Sequence, residues 1–119
     1  MRNSKILIIS IIAMLLLAGN LFAANYCSGT VKNNGCGVEG AYVGLYVWTQ
    51  EYGWLEVDYV RNNSETGFYQ CCFQDDEYGR DIQLKVTAYL DRGVDLTKYV
   101  TYNGGSIIVN FVYVPGYPD

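Results

Sequence analysis

Apolar and polar residues alternate with a period of two along most of the chain beyond residue 25, and no window carries the period of a helix. The alternation predicts strands over residues 26–32, 41–50, 54–61, 68–73, 82–90, 96–102 and 106–114. Turn chemistry separates them: Asn34-Gly35 and Cys36-Gly37, Tyr52-Gly53, the polar run 62–66, the acidic run 74–81, Arg92-Gly93 and Asn103-Gly104-Gly105. In the 41–50 strand Val43, Leu45 and Val47 share one face, and Tyr42, Tyr46 and Trp48 the other. In the 54–61 strand strict alternation places Leu55, Val57 and Tyr59 opposite Trp54, Glu56, Asp58 and Val60. Ile82, Leu84, Val86 and Ala88 form a third apolar face. Seven short strands at regular spacing predict an all-β fold, a seven-stranded antiparallel β-sandwich of immunoglobulin-like architecture. Pro115 and Pro118 end the last strand and leave residues 115–119 as a frayed tail.

The first 24 residues break this pattern. Arg2 and Lys5 precede an apolar run from Ile6 to Ala18, interrupted by Ser10, and small residues close it at Ala23-Ala24. This is the layout of a cleaved secretory leader, too short for a membrane span. The expected address is secreted, or periplasmic in a Gram-negative source. Residues 25–114 then make one domain, which at this size gains from cross-links. Cys27, Cys36, Cys71 and Cys72 all lie in it. An even count in a small exported chain predicts two disulfides. Adjacent Cys71 and Cys72 point to opposite faces of a strand, so each is expected to tie back to the Cys27–Cys36 segment. The spacing is poor for zinc, and no metal or cofactor is expected.

Beyond the leader the chain holds six basic and twelve acidic residues and no basic cluster. That disfavours nucleic acid and anionic lipid as partners. The chain contains no His, which removes the commonest general base and every Ser-His-Asp or Cys-His arrangement. No catalytic residue is expected.

Gly29 and Val31, then Gly40, Ala41, Val43 and Leu45, then Gly67 and Tyr69, with a final strand over residues 107–112, resemble the transthyretin-like sandwich group. That group includes the carboxypeptidase regulatory-like domains. The resemblance implies a transthyretin-like topology over nearly the whole exported part. The chain departs from the pattern in having Val38-Glu39 where the group often has Pro, and Asn63-Ser64 where it often has Thr-Asp. The group's hydroxyisourate-cleaving members rely on His residues and a C-terminal tail motif that are missing here, so their activity does not transfer. Gly40 and Gly67 stand where backbone turns enter the strands that follow them, turns that a Cβ would resist.

Two clusters remain as candidate sites. Asp75, Asp76, Glu77 and Asp81 make an oxygen-rich loop, a weak calcium candidate without EF-hand spacing. Trp48, Tyr52 and Trp54 crowd the hairpin between residues 41–50 and 54–61. On a shared outer face the two tryptophans form an aromatic patch that stacks on sugar rings or anchors a protein; alternatively they cap the core. Twelve tyrosines in so short a chain suit either strand faces or an adhesive surface. Asn62-Asn63-Ser64 is a formal N-glycosylation sequon. The expectation is a non-enzymatic binding or structural module for a protein partner. Alternatives are a carbohydrate-binding module using Trp48 and Trp54, and an accessory or inhibitor domain for a secreted hydrolase acting through Gly35-Cys36-Gly37.

Overall fold

A computed structural model of the chain describes residues 24–34, 37–74 and 81–116. Residues 1–23 of the leader, the turn residues Gly35 and Cys36, residues 75–80 with the carboxylates Asp75, Asp76 and Glu77, and the tail residues 117–119 lie outside the described residues. The strands are β1 (Ala24–Asn33), β2 (Gly37–Val38), β3 (Ala41–Thr49), β4 (Gly53–Arg61), β5 (Phe68–Gln74), β6 (Ile82–Leu90), β7 (Asp95–Tyr102), β8 (Ile107–Ile108) and β9 (Phe111–Tyr113).

They form two packed sheets. One runs β4-β3-β6-β7 and is antiparallel throughout. The other is built on β1, which pairs antiparallel with β2 and β5 and parallel with β8 and β9. Between the sheets lie Val43, Leu45 and Val47 of β3, Leu84, Val86 and Ala88 of β6, and Val31, Tyr69 and Phe111 of the β1 sheet, all buried. Alternation reads these faces of β3 and β6 correctly, because one side of each strand is sealed against the opposite sheet.

The described strands number nine rather than seven, and the sandwich is not wholly antiparallel. The turn after β1 contains the short β2. The predicted last strand is broken into β8 and β9 at Val109-Asn110. At this break the Asn110 side chain accepts the Thr30 N–H at 3.0 Å, a side chain replacing a ladder bond. Val109 donates its N–H to the Ser28 carbonyl at 2.8 Å, and its own carbonyl accepts the Tyr69 hydroxyl at 2.5 Å. Gly29 makes the approach possible. A Cβ there would overlap the Val109 carbonyl oxygen and stand 2.7 Å from its carbon.

A second departure lies in β4. Leu45 pairs with Asp58 and Tyr46 with Glu56, so Val57 has no opposite number and forms a bulge. The inserted residue reverses the alternation beyond it. Tyr59 therefore joins Trp54 and Glu56 on the outer face instead of opposing them, and Val60 turns to the core side.

One end of the sandwich is closed by a polar network. The buried Asn62 accepts the Ala41 N–H at 3.1 Å and donates to the carbonyls of Glu39 at 2.8 Å and Gly67 at 3.4 Å. The buried Glu39 receives Arg92 through two bonds of 2.6 and 2.9 Å, with Asn33 donating to it at 3.2 Å. Arg61 grips Asp91 at 2.6 and 2.7 Å. Gly40 takes no positive φ; a Cβ there would lie 2.5 Å from an Asp91 carboxylate oxygen, so the Arg61–Asp91 pair would have to shift to admit one. Gly67 does need the left-handed region, at φ 79°. Asn62 is 4% exposed with both side-chain functions engaged inside the fold, so a glycan on its amide nitrogen is incompatible with this packing.

The expectation that both Cys71 and Cys72 tie back to the Cys27–Cys36 segment is corrected where it would link Cys72 to Cys27. Among the described residues the structure holds no disulfide and shows Cys27, Cys71 and Cys72 in the reduced form. Cys71 is buried toward the core and Cys72 faces outward opposite Tyr26, as alternation requires. Cys72 therefore stands on the wrong side of the sheet to reach Cys27. Cys36 lies outside the described residues.

Candidate functional site

The outer face of the β4-β3-β6-β7 sheet carries seven aromatic residues that are not in the core. Residues pointing outward from β3 are Tyr42, Gly44, Tyr46 and Trp48. Register sets Arg61, Tyr59, Glu56 and Trp54 beside them on β4, and Tyr89, Thr87 and Lys85 beside them on β6. Tyr99 of β7 lies next to Lys85.

Trp48 and Trp54 pair one step before Thr49 and Gly53, the last pair before the hairpin tip, where Gly53 takes φ 73°. The Thr49 hydroxyl closes the tip, accepting the Tyr52 N–H at 3.0 Å and donating to the Gly53 carbonyl at 2.9 Å. The indoles meet edge to face with centroids 5.4 Å apart. Trp54 then reaches across the sheet to Tyr99, 5.8 Å away, although β4 and β7 are its opposite edges. The Lys85 ammonium lies beneath this crossing, 5.3 Å from the Trp54 ring centre and 4.6 Å from that of Tyr46.

Tyr46 continues the chain of rings. It folds over Gly44, where a Cβ would lie 2.7 Å from its hydroxyl, and hydrogen-bonds the Tyr89 hydroxyl. Burial and the Tyr89 hydroxyl push the Tyr46 phenol well above its ordinary range. Tyr89 meets Tyr59 at 6.0 Å, and Tyr59 stacks on Tyr42 at 5.2 Å with 7° between planes. Arg61 caps Tyr42 from 5.0 Å while held by Asp91. Seven aromatic rings thus form one connected surface, held by each other and by two cations. Trp48 is 50% exposed and Tyr99 66%, so the surface is open to solvent.

Of the residues predicted from sequence, Trp48 and Trp54 are brought together on the outer face and do not cap the core. Tyr52 stands at the tip, 70% exposed, apart from the ring-to-ring chain. The face also takes in Tyr59, Tyr89, Tyr99, Lys85 and Arg61. Odd-numbered alternation along β6 and β7 was the signal for Tyr89, Lys85 and Tyr99, while the β4 bulge concealed Tyr59.

Of the calcium candidates only Asp81 lies among the described residues. Asp75, Asp76 and Glu77 lie outside the described residues, and Asp81 is exposed in a left-handed conformation at φ 53°. Among the described residues no three His, Cys, Asp or Glu side chains gather to hold a metal ion.

The arrangement is suited to non-covalent recognition. Tyr, Trp and Arg dominate the energetics of protein interfaces. Rings already fixed by their neighbours lose little rotamer freedom on docking. No protein-family model matches the chain, and no curated protein sequence matches it either.

Proposed function

We propose that the chain is an exported, non-enzymatic binding module that docks a protein partner on the aromatic outer face of its four-stranded sheet. The observation that carries this reading is the continuous run of rings from Trp48 to Tyr42, anchored by Lys85 and Arg61. A protein is favoured over a glycan because several of the rings already have a face engaged by a neighbour within the sheet. Tyr59 stacks on Tyr42, Arg61 lies over the Tyr42 ring, and Lys85 lies over the rings of Trp54 and Tyr46, so at these rings hydroxyls and edges are much of what the face offers. Sugar stacking needs open ring faces. The transthyretin-like topology is part of the same proposal, supported by the roles of Gly29, Gly40, Gly67 and Tyr69 around β1 and the polar end of the sandwich.

A photo-crosslinking residue at position 99 tests the reading, applied in extract of the native source and compared with chains carrying Trp48→Ala or Trp54→Ala. A discrete protein adduct that both substitutions abolish is the expected result. A shift in tryptophan emission on adding soluble polysaccharides, with no protein adduct, would replace it with the carbohydrate reading.

A further inference from the structure

β1 and β5 set Cys27 directly opposite Cys71, with both side chains fully buried on the core face. Val31 donates its N–H to the Gly67 carbonyl at 3.0 Å, which fixes the parity of the ladder. Counting back by twos, Cys27 and Cys71 occupy a hydrogen-bonded pair, where Cα atoms stand about 5.5 Å apart. This lies within the roughly 4.4–6.8 Å separation of disulfide-linked residues. The other cysteines are placed differently. Cys72 faces outward opposite Tyr26, its N–H held by the Asp58 carboxylate at 2.9 Å. Gly37, the chain neighbour of Cys36, pairs with Asn33 at the far end of β1, about 23 Å from Tyr26 at strand rise.

We propose that Cys27 and Cys71 are joined by a single cross-strand disulfide that locks β1 to β5 from inside the core. This goes beyond the binding role and rests on register alone. In closing, two S–H bonds break and one S–S bond forms. The two electrons and two protons reduce the disulfide of an oxidant, such as oxidised glutathione or a thiol oxidase, to two thiols. Burial pushes the Cys27 thiol up to about 11 against an opposing hydrogen bond from Tyr69, and pushes Cys71 higher still with Asp58 adding to it. Protonated thiols attack slowly, so the bond closes while β1 is docking and is sheltered from reductants afterwards.

The purified full-length chain is reduced, unfolded, refolded with oxidised and reduced glutathione, alkylated and mapped by mass spectrometry. The expected result is a Cys27–Cys71 cross-link, retained in Cys36→Ser/Cys72→Ser with a loss of two hydrogens and no alkylation. The adjacent Cys71 and Cys72 are told apart by Cys71→Ala, which abolishes the link, and Cys72→Ser, which keeps it. Alkyl groups on both Cys27 and Cys71 of the wild-type chain, or a link from Cys27 to Cys36 or Cys72, would overturn the proposal. Wild-type mapping decides the matter even if a variant fails to fold.

Discussion

Replacing Asn62 with alanine removes the side chain that joins the start of β3, the β2–β3 connection and the β4–β5 loop. Three hydrogen bonds disappear, at 3.1, 2.8 and 3.4 Å. The Gly67 carbonyl keeps its bond from the Val31 N–H at 3.0 Å, so it is not stranded. The Ala41 N–H and the Glu39 carbonyl lose the side-chain partner that holds them within the buried end of the sandwich. An unsatisfied buried group costs about 1–3 kcal/mol, so the pair costs about 4 kcal/mol. Against a total stability of about 5–15 kcal/mol this is a large fraction. For a domain of this size it lowers Tm by about 15–30 °C. The assay is a circular-dichroism melt with a urea titration for the free energy. Ser64→Ala is the control: Ser64 is exposed, and its loss should change stability by less than about 0.5 kcal/mol while also destroying the sequon. An Asn62→Ala chain melting within a few degrees of wild type refutes the network argument. An equal loss in Ser64→Ala refutes it differently, by showing that the sequon is what matters.

Four further outcomes follow from the same geometry. Gly29→Ala drives a Cβ into the Val109 carbonyl and should cost about 3 kcal/mol, read in the same urea titration. The Arg61 guanidinium, chiefly through its hydrogen bonds, holds the Asp91 carboxyl below its ordinary value of 3.8. Stability from that pair is complete above the ordinary carboxylate range and is lost as pH falls through the lowered value, so Asp91→Asn should narrow the Tm gap between neutral and acid solution. Trp48→Ala truncates a half-exposed ring and should change stability by less than about 1 kcal/mol, while abolishing the crosslinked adduct. Closing the roughly 45-residue loop from Cys27 to Cys71 should stabilise the oxidised chain by about 4 kcal/mol over the reduced one, measured by parallel denaturant curves.

The sequence displays what one strand decides for itself. Val43, Leu45 and Val47 or Ile82, Leu84 and Val86 announce a buried face because the side-chain period of a strand is two. It conceals what depends on a second strand. Nothing local marks Val57 as an extra residue, yet it turns Tyr59 and Arg61 to the outer face. Nothing local shows that Asn110 takes over a ladder bond from Thr30, because that requires β1 to lie alongside. Trp48 and Trp54 were visible as a hairpin pair. Tyr99 and Lys85 join them through the strand order β4-β3-β6-β7, which no local pattern specifies. Asn62 lies in a polar run between strands, and such runs are ordinarily exposed, whereas here a loop asparagine satisfies the backbone of its neighbours.

The position of β1 has a consequence for the time course of synthesis. β1 is among the first strands made, yet it receives β8 and β9 in parallel, and the Thr30 to Asn110 bond spans 80 residues. At about 5–20 residues per second, a ribosome needs roughly 4–16 s to cover that distance. During that interval the backbone edge running through Ser28 and Thr30 has no partner of its own, and an unpaired edge recruits strands from other chains. The sheet built on β1 is therefore finished only after translation is nearly complete, a schedule that favours a chain kept extended until its last strands have been made.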